Sequence, residues 1–298
     1  MTEVAASAGA LRTLAADLIA LTKPRIILLL LVTTIAPMFV AGTPHWTAVL
    51  WVTLGGYLMA GGANAVNMYF DRDIDDVMTR TRLRPIPSGR IAPRAVIAFG
   101  IALATAATYL LAHFVNLLTS ALALAGFYFY VFVYTRWLKR TSPQNIVIGG
   151  AAGAFPPLVG WAAVTGRVEL ASVFLFLIIF YWTPPHFWAL ALNRQSDYGR
   201  AGVPMAPLVW GERETMDQMF WYSVLLVALT VLPACVGVLG LPYLALALLL
   251  GAILLRGVAR VRAAATTGAW SAPSWWVYKY SLLYLALLFV AMVVDRHL

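Results

Sequence analysis

The chain has 298 residues, of which 62% are hydrophobic and only 11% are charged. A soluble domain carries about a quarter of charged residues, so this composition predicts a membrane protein. It excludes a disordered chain, a disulfide-stapled secreted domain and a soluble nucleic-acid-binding protein, although the formal net charge is +9. The single cysteine, Cys235, lies in an apolar run and has no second cysteine with which to pair.

The hydropathy pattern predicts an all-α bundle, with one polytopic domain over 1–298 and about nine transmembrane helices. A helix that crosses the hydrocarbon core needs about 20 mostly apolar residues. The predicted spans are 26–42, 47–69, 94–114, 117–135, 143–164, 170–192, 217–239, 241–258 and 275–294. Short connections predict antiparallel hairpins, and the two long polar connections, 70–93 and 193–216, then lie on one side of the membrane.

Basic residues are distributed unequally between the two sides of the membrane. Of the 21 Lys and Arg residues, only Arg167 and Arg296 fall on the side opposite the long connections. Under the positive-inside rule, this bias predicts a cytoplasmic N-terminus, cytoplasmic long loops and an external C-terminus. Segment 1–22 is expected to be a short cytoplasmic segment. Its acids and the lack of an apolar core argue against a cleavable signal peptide or a mitochondrial transit peptide.

Four of the 12 acidic residues lie within six positions at the end of the second span. Asn67, Asp71 and Asp75 are spaced by four residues, so a helix places all three side chains on one face. Stacked carboxylates near a low-dielectric boundary repel each other and require a cation. Oxygen ligands of this kind suit Mg²⁺, which is commonly held by one or two carboxylates and substrate phosphates. The alternative interpretation is a solvated acidic helix end.

A basic run, 80–90, follows the acidic motif and contains a proline-rich turn. Arginine pairs bidentately with phosphate oxygens, and acidic metal ligands beside arginines are what a diphosphate requires. The cytoplasmic end of the fourth span adds further cations. The candidate diphosphate-binding residues are Arg25, Arg82, Arg84, Arg90 and Lys139. The alternatives are lipid anchoring at the inner leaflet and a simple topology signal.

The sixth span and the loop after it carry the remaining candidates. His186, Asn193 and Asp197 fall on one helical stripe, and Asp197 is a second carboxylate candidate. Pro184 and Pro185 are expected to break or kink the span within the membrane and to open it toward a cavity. His186 is the only histidine on the cytoplasmic half, and the alternative for it is a role in packing. The alternative for Asp197 is a solvated loop acid.

These motifs resemble the intramembrane UbiA-type prenyltransferase superfamily, typified by the aromatic prenyltransferases of the ubiquinone pathway. The Asn67-x3-Asp71-x3-Asp75 pattern is similar to the first aspartate motif of that superfamily. Stretches 67–90, 184–188 and 197–205 resemble its haem-modifying branch.

The second motif departs from the superfamily pattern. That motif usually has acids at Asp-x3-Asp spacing, whereas this chain has Asn193-x3-Asp197. Asparagine still offers a neutral oxygen, but the case for a second Mg²⁺ is weaker. Asn193 is therefore a second-motif candidate, and the number of metal ions stays open.

The resemblance implies transfer of the farnesyl group of farnesyl diphosphate to a vinyl group of haem B, forming haem O and diphosphate. It implies Mg²⁺ held by Asn67, Asp71, Asp75 and Asp197, with catalytic roles for the three aspartates, and His186 as the candidate haem-binding residue. The expected location is a bacterial cell (inner) membrane. The expected partners are membrane lipid and a haem A synthase or terminal oxidase assembly, but no nucleic acid.

Two other functions stay open at this stage. A prenyltransferase with an aromatic or chlorophyll-type acceptor would keep the metal site and change only the acceptor pocket. A cation-coupled transporter could use the same carboxylates, since ionisable groups in membranes are commonly functional. A transporter, however, predicts acids deep within helices, whereas these acids cluster at cytoplasmic ends beside arginines.

Overall fold

The computed structural model describes the backbone of residues 2–298 and the side chains of residues 12–298, and this part of the chain is helical with no strand. The helices are α1 (Thr2–Thr22), α2 (Pro24–Ala41), α3 (Trp46–Phe70), α4 (Arg72–Val77), α5 (Pro93–Phe114), α6 (Leu117–Tyr128), a π-helical segment (Phe129–Leu138), α7 (Lys139–Thr141), α8 (Asn145–Gly149), α9 (Ala151–Thr165), α10 (Leu170–Leu192), α11 (Gln195–Arg200), α12 (Ala206–Val209), α13 (Glu212–Cys235), α14 (Leu241–Ala263), a 3₁₀ turn (Ala264–Thr266) and α15 (Ser271–Arg296).

Nine helical stretches of the described chain are long and apolar enough to cross a membrane, which confirms the nine predicted spans. Their ends follow local sequence signals. Pro24 and Pro93 occupy first turns, where a missing N–H costs no helical hydrogen bond. Gly166 ends α9 with a positive φ of 66°, a conformation that glycine adopts without steric cost. The fourth span is longer than expected and continues to Thr141.

The predicted break in the sixth span is wrong, because α10 is helical without interruption from Leu170 to Leu192. Pro184 and Pro185 are both buried inside this helix. Transmembrane helices tolerate proline where neighbouring helices and hydroxyl side chains support the backbone. Here Thr183 Oγ1 donates to the carbonyl of Ile179 at 2.9 Å, and α9, α13 and α15 pack around α10.

The helix that carries the acidic motif, α3, is held very close to α5. A Cβ atom added to Gly62 of α3 would lie 2.6 Å from the carbonyl oxygen of Gly100 in α5. Small residues permit such an approach, which drives helix association in membranes through van der Waals packing. This contact fixes the position of α3, and therefore of the motif at its C-terminal end.

Gly62→Ala is expected to destabilise the protein, because the new methyl group has no space and the two backbones must separate. Overpacking of this kind costs about 1–3 kcal/mol. The matched control is Gly153→Ala, since a Cβ atom at that helical glycine meets nothing within 4 Å. Thermal unfolding of the purified proteins in detergent measures the difference. Equal midpoints for the two variants would refute the close-packing argument.

The orientation of the bundle stays a prediction from the basic residues. We expect a reporter fused after Leu298 to be external and the same reporter inserted near Ser88 to be cytoplasmic. Alkaline phosphatase, which is active only outside the cytoplasm, and a fluorescent protein give opposite signals at each position. Both positions reporting one side would mean that the number of membrane crossings is wrong.

Candidate active site

The first acidic motif is buried. Asn67 lies in the last turn of α3, Asp71 joins α3 to α4, and Asp75 lies in α4. Asp71 is 1% exposed and Asp75 2% exposed, whereas the neighbouring Asp76 is exposed. A solvated acidic helix end would expose the motif carboxylates, so this burial excludes that interpretation for Asp71 and Asp75.

Basic side chains from three parts of the chain contact this face. Lys139 Nζ lies 2.6 Å from Asp71 Oδ2, and Arg84 Nη1 lies 2.8 and 2.6 Å from the two oxygens of Asp75. Lys23 Nζ donates to Asn67 Oδ1 at 2.9 Å. Buried carboxylates are costly unless they are paired and hydrogen-bonded. The predicted need for cations at this face is therefore met by residues of the chain itself.

One carboxylate oxygen in this cluster has no partner. Asp71 Oδ2 accepts from Lys139 and from Asn67 Nδ2, at 2.6 and 2.7 Å. Asp71 Oδ1 is buried without a hydrogen bond, and the nearest guanidinium nitrogen, of Arg140, is 4.0 Å away. A buried oxygen with free lone pairs is a suitable ligand for a hard cation. The donor atoms at this face therefore fit Mg²⁺.

Protein ligands alone do not complete a metal site here. In the part of the chain that the structure describes, no group of three or more His, Cys, Asp or Glu side chains could hold a metal ion. Mg²⁺ typically takes one or two carboxylates and fills its other positions with water and substrate phosphates. The arrangement thus fits an ion that binds together with a phosphate-containing substrate.

A π-helical segment, Phe129–Leu138, packs against α3 beside the motif. Thr135 Oγ1 donates to the carbonyl of Tyr130 at 2.8 Å and accepts from Asn67 Nδ2 at 3.0 Å. Tyr130 and Tyr134 stack with ring centroids 5.8 Å apart. Short π-helical segments are frequent at functional sites. Hydropathy had indicated only an apolar span, so neither Thr135 nor the wider turn was predicted.

Lys23 has an unusual backbone conformation between α1 and α2. It is the one non-glycine residue with a positive φ, 56°, in the described chain. This conformation costs about 1–3 kcal/mol and persists where surrounding contacts impose it. Burial, reinforced by the nearby Arg84, lowers the pKa of Lys23 to about 7. The sequence had marked Lys23 only as one of many cytoplasmic cations, and its contact with Asn67 was not predicted.

Arg140 links the exposed Asp73, which lies between the two motif carboxylates in sequence, to the buried Asp71. Its guanidinium donates to both carboxylate oxygens of Asp73 at 2.8 Å and to the carbonyl of Phe70 at 2.7 Å. These hydrogen bonds lower the pKa of Asp73 to about 2, so this carboxylate is ionised at neutral pH. Arg140 therefore holds the junction between α3 and α4, where Asp71 lies.

Asp197 joins the two long connections to each other. It is buried, its Oδ1 accepts the Thr79 N–H at 3.3 Å, and it pairs with Arg200. Arg200 Nη2 in turn donates to Thr79 Oγ1 at 2.8 Å. Burial excludes a solvated loop acid. The contacts place Asp197 against the chain just after α4, beside the motif segment.

Four other candidates have different surroundings. Arg90 pairs through Nε with Asp17 Oδ2 of α1 at 2.9 Å. Asn193 accepts from Ser271 Oγ and donates to Ser274 Oγ, at 2.7 and 3.0 Å, so both ends of its amide are used against α15. The two remaining diphosphate candidates are exposed and form no ion pair with a described residue: Arg25 and Arg82.

His186 lies in α10, buried against α15. Its ring is stacked between Trp182 and Tyr278, with centroid distances of 4.4 and 4.7 Å. Its Nδ1 lies 2.8 Å from Ser281 Oγ. The structure records no contact between His186 and the acidic motif or Asp197. The predicted helical stripe therefore does not bring these side chains into contact.

Comparison with known proteins identifies the family. Residues 29–278 match the UbiA prenyltransferase family, and the chain belongs to it. A protein of Roseiflexus castenholzii, named protoheme IX farnesyltransferase, is 56% identical over 94% of this chain and 52% of its own length. A protein of Symbiobacterium thermophilum with the same name is 51% identical over 94% of this chain and 93% of its own length. The chain thus spans about half the length of the first relative and nearly all of the second.

Two solved structures share the fold. A digeranylgeranylglyceryl phosphate synthase is 19% identical, with a TM-score of 0.77 over 95% of this chain and 98% of that one. A UbiA homologue from Archaeoglobus fulgidus, bound to DMAPP and Mg²⁺, is 14% identical. Its TM-score is 0.65, over 92% of this chain and 99% of that one. These similarities confirm the predicted all-α membrane architecture.

Proposed function

We propose that the chain transfers the farnesyl group of farnesyl diphosphate to a vinyl group of haem B, producing haem O and diphosphate. Binding of the diphosphate substrate is supported by the buried face of Asn67, Asp71 and Asp75 and by the basic side chains that contact it. The names of relatives at 51–56% identity support haem B as the acceptor.

The oxygen atoms of this face provide the metal site of the proposal. Asn67, Asp71 and Asp75 would hold Mg²⁺, with the unpartnered Asp71 Oδ1 as the first available ligand. Asp197 would complete the site from the second loop, because it already contacts the segment after α4. When bound, the ion neutralises the diphosphate and makes it a better leaving group.

Basic residues of the chain would stabilise the negative charge of the diphosphate. Lys23, Arg84 and Lys139 would bind the diphosphate oxygens and stabilise the charge that develops as the bond from C1 to oxygen breaks. The allylic cation accepts the π electrons of the haem vinyl group, forming the new carbon–carbon bond. Water then adds to the resulting carbocation and loses a proton, which gives the hydroxyethylfarnesyl group. The stacked rings of Tyr130 and Tyr134 would shield the allylic cation by cation–π contact.

His186 is the proposed contact for the iron of the haem substrate. It is buried between helices, whereas His45, His113 and His297 are exposed. Because His186 does not contact the acidic motif, it would bind the haem while the motif binds the diphosphate of the second substrate. The farnesyl tail and the porphyrin would lie among the apolar helices, and the diphosphate at their cytoplasmic ends.

We also propose that the chain resides in the inner membrane of a bacterium. Nine apolar helices and the family make it a multi-pass membrane protein. Its product would pass to a haem A synthase or directly to a terminal oxidase assembly, since haem O is a membrane-bound haem with a long apolar tail.

The test of the function is a product analysis. Purified protein incubated with haem B, farnesyl diphosphate and Mg²⁺ is expected to form a porphyrin with the mass of haem O. Chelation of Mg²⁺ by EDTA should stop the reaction, and excess Mg²⁺ should restore it. Unmodified haem, together with prenylation of an aromatic acid or a chlorophyll precursor, would establish the alternative acceptor. Turnover that persists after chelation would refute the metal site.

A further inference from the structure

The hydroxyl group of Ser281 determines which nitrogen of His186 carries a proton. Ser281 lies in α15 and is 1% exposed. Its Oγ is 2.9 Å from the carbonyl oxygen of Tyr278, one turn earlier, and 2.8 Å from His186 Nδ1. A carbonyl oxygen can only accept, and a serine hydroxyl has a single proton to donate. Ser281 therefore donates to Tyr278 and accepts the Nδ1–H of His186.

The opposite nitrogen of His186 then carries the lone pair. A neutral imidazole with its proton on Nδ1 has Nε2 as its only basic atom. Within the described chain, the ring contacts Ser281 Oγ through Nδ1 and the backbone of Tyr278. Nε2 is thus the deprotonated nitrogen of a histidine that is buried against α15.

The ring is also held in orientation. Trp182 and Tyr278 cover its two faces, at interplanar angles of 16° and 24°. Trp182 Nε1 donates to the carbonyl of Ser281 at 2.8 Å, which ties the same residue of α15 to α10. Tilting the imidazole would disturb both stacks, and a flip of the ring within its plane would lose the Ser281 contact.

We propose that Ser281 is a positioning residue, whose hydroxyl oxygen holds the Nδ1 proton of His186 and so presents Nε2 to the iron of a haem substrate. The inference rests on the proposed function for haem as the substrate. In iron-binding histidines, the N–H group of the second ring nitrogen commonly donates a hydrogen bond to an oxygen atom. This hydrogen bond fixes the tautomer and raises the basicity of the ligating nitrogen. Ser281 provides that acceptor from a helix far from the acidic motif in sequence.

The test compares Ser281→Ala and Ser281→Thr in the full-length protein. Ferric haem B is titrated by its Soret absorbance, and the bound haem is examined by electron paramagnetic resonance. Ser281→Ala is expected to weaken haem binding by about ten-fold and to change the resonance of the axial ligand. Ser281→Thr, which retains the hydroxyl, should restore both. Binding of farnesyl thiodiphosphate with Mg²⁺ should equal wild type in both variants, which shows that the fold is intact.

Ser223→Ala is the matched control. Ser223 is also fully buried, and its hydroxyl donates only to the carbonyl of Met219 in its own helix. We expect wild-type haem binding from this variant. Equal weakening by Ser223→Ala and Ser281→Ala would indicate a general packing effect and overturn the inference. Wild-type affinity and resonance in Ser281→Ala, or failure of Ser281→Thr to restore them, would also overturn it.

Failure of the proposed function gives a different result. If His186→Ala leaves the wild-type Soret titration unchanged, haem ligation at His186 is refuted and the role of Ser281 falls with it. If His186→Ala loses haem but Ser281→Ala does not, only the positioning role is refuted. If both variants weaken haem binding as expected but the wild-type protein forms no haem O, the proposed reaction fails while the inference about Ser281 stands.

Discussion

Asp71→Asn is expected to lower the rate of haem O formation by about a thousand-fold, or about 4 kcal/mol of transition-state stabilisation. The substitution keeps the size of the side chain but removes its charge and one of the two carboxylate oxygens. It therefore removes the ionic partner of Lys139. Because Lys139 and Asn67 hold the remaining oxygen, the amide NH₂ group takes the place of the free Oδ1 that fits a metal ion. Single-turnover rates at saturating farnesyl diphosphate, measured over a range of Mg²⁺ concentrations, test this expectation. Asp75→Asn should behave in the same way.

Asp76→Asn is the matched control for the charge change. Asp76 belongs to the same acidic cluster, but its side chain is exposed and forms no ion pair with a described residue. Its variant should keep the wild-type rate and Mg²⁺ dependence. If Asp71→Asn retains the wild-type rate at limiting Mg²⁺, the metal site does not lie on this helix. If Asp76→Asn is equally impaired, the acidic cluster acts through its overall charge.

His186→Ala and Asp197→Ala are expected to separate the two substrates. His186→Ala should weaken haem binding by about a hundred-fold, or about 2.7 kcal/mol, and leave binding of farnesyl thiodiphosphate with Mg²⁺ near normal. Asp197→Ala should show the reverse pattern. Asp197 holds the Thr79 N–H and pairs with Arg200, so its loss frees the loop that carries Arg84. The hydrogen bond and the ring contacts of His186 described above are with residues of α10 and α15.

Soret titration and calorimetry of the thiodiphosphate measure the two affinities in each variant. His113→Ala, which removes an exposed histidine from another helix, should change neither of them. A His186→Ala variant with unchanged haem binding and turnover would make this residue a packing histidine. Parallel loss of both affinities in both variants would mean that the two substrates share one site.

The sequence determined the features that depend on short-range pattern. Apolar runs of about 20 residues predicted the nine spans because each transmembrane helix satisfies its own backbone hydrogen bonds. The four-residue spacing of Asn67, Asp71 and Asp75 predicted a common face because helix geometry is local. The motifs around these residues were sufficient to identify the family, which the comparison with known proteins confirmed.

Only the tertiary structure decided which charges meet. Lys23 and Lys139 reach the motif from 44 and 68 positions away in sequence, and Arg90, equally basic, pairs with Asp17 of α1 instead. Composition cannot distinguish these cations, because their partners depend on how the helices pack.

The sequence also did not predict the backbone conformation of two helical segments. The wider π turn that presents Thr135 to Asn67 and the uninterrupted helix through Pro184 and Pro185 oppose local expectation. Packing against neighbouring helices overrides local preference at these positions, since burial and shared hydrogen bonds there outweigh the intrinsic bias of a few residues.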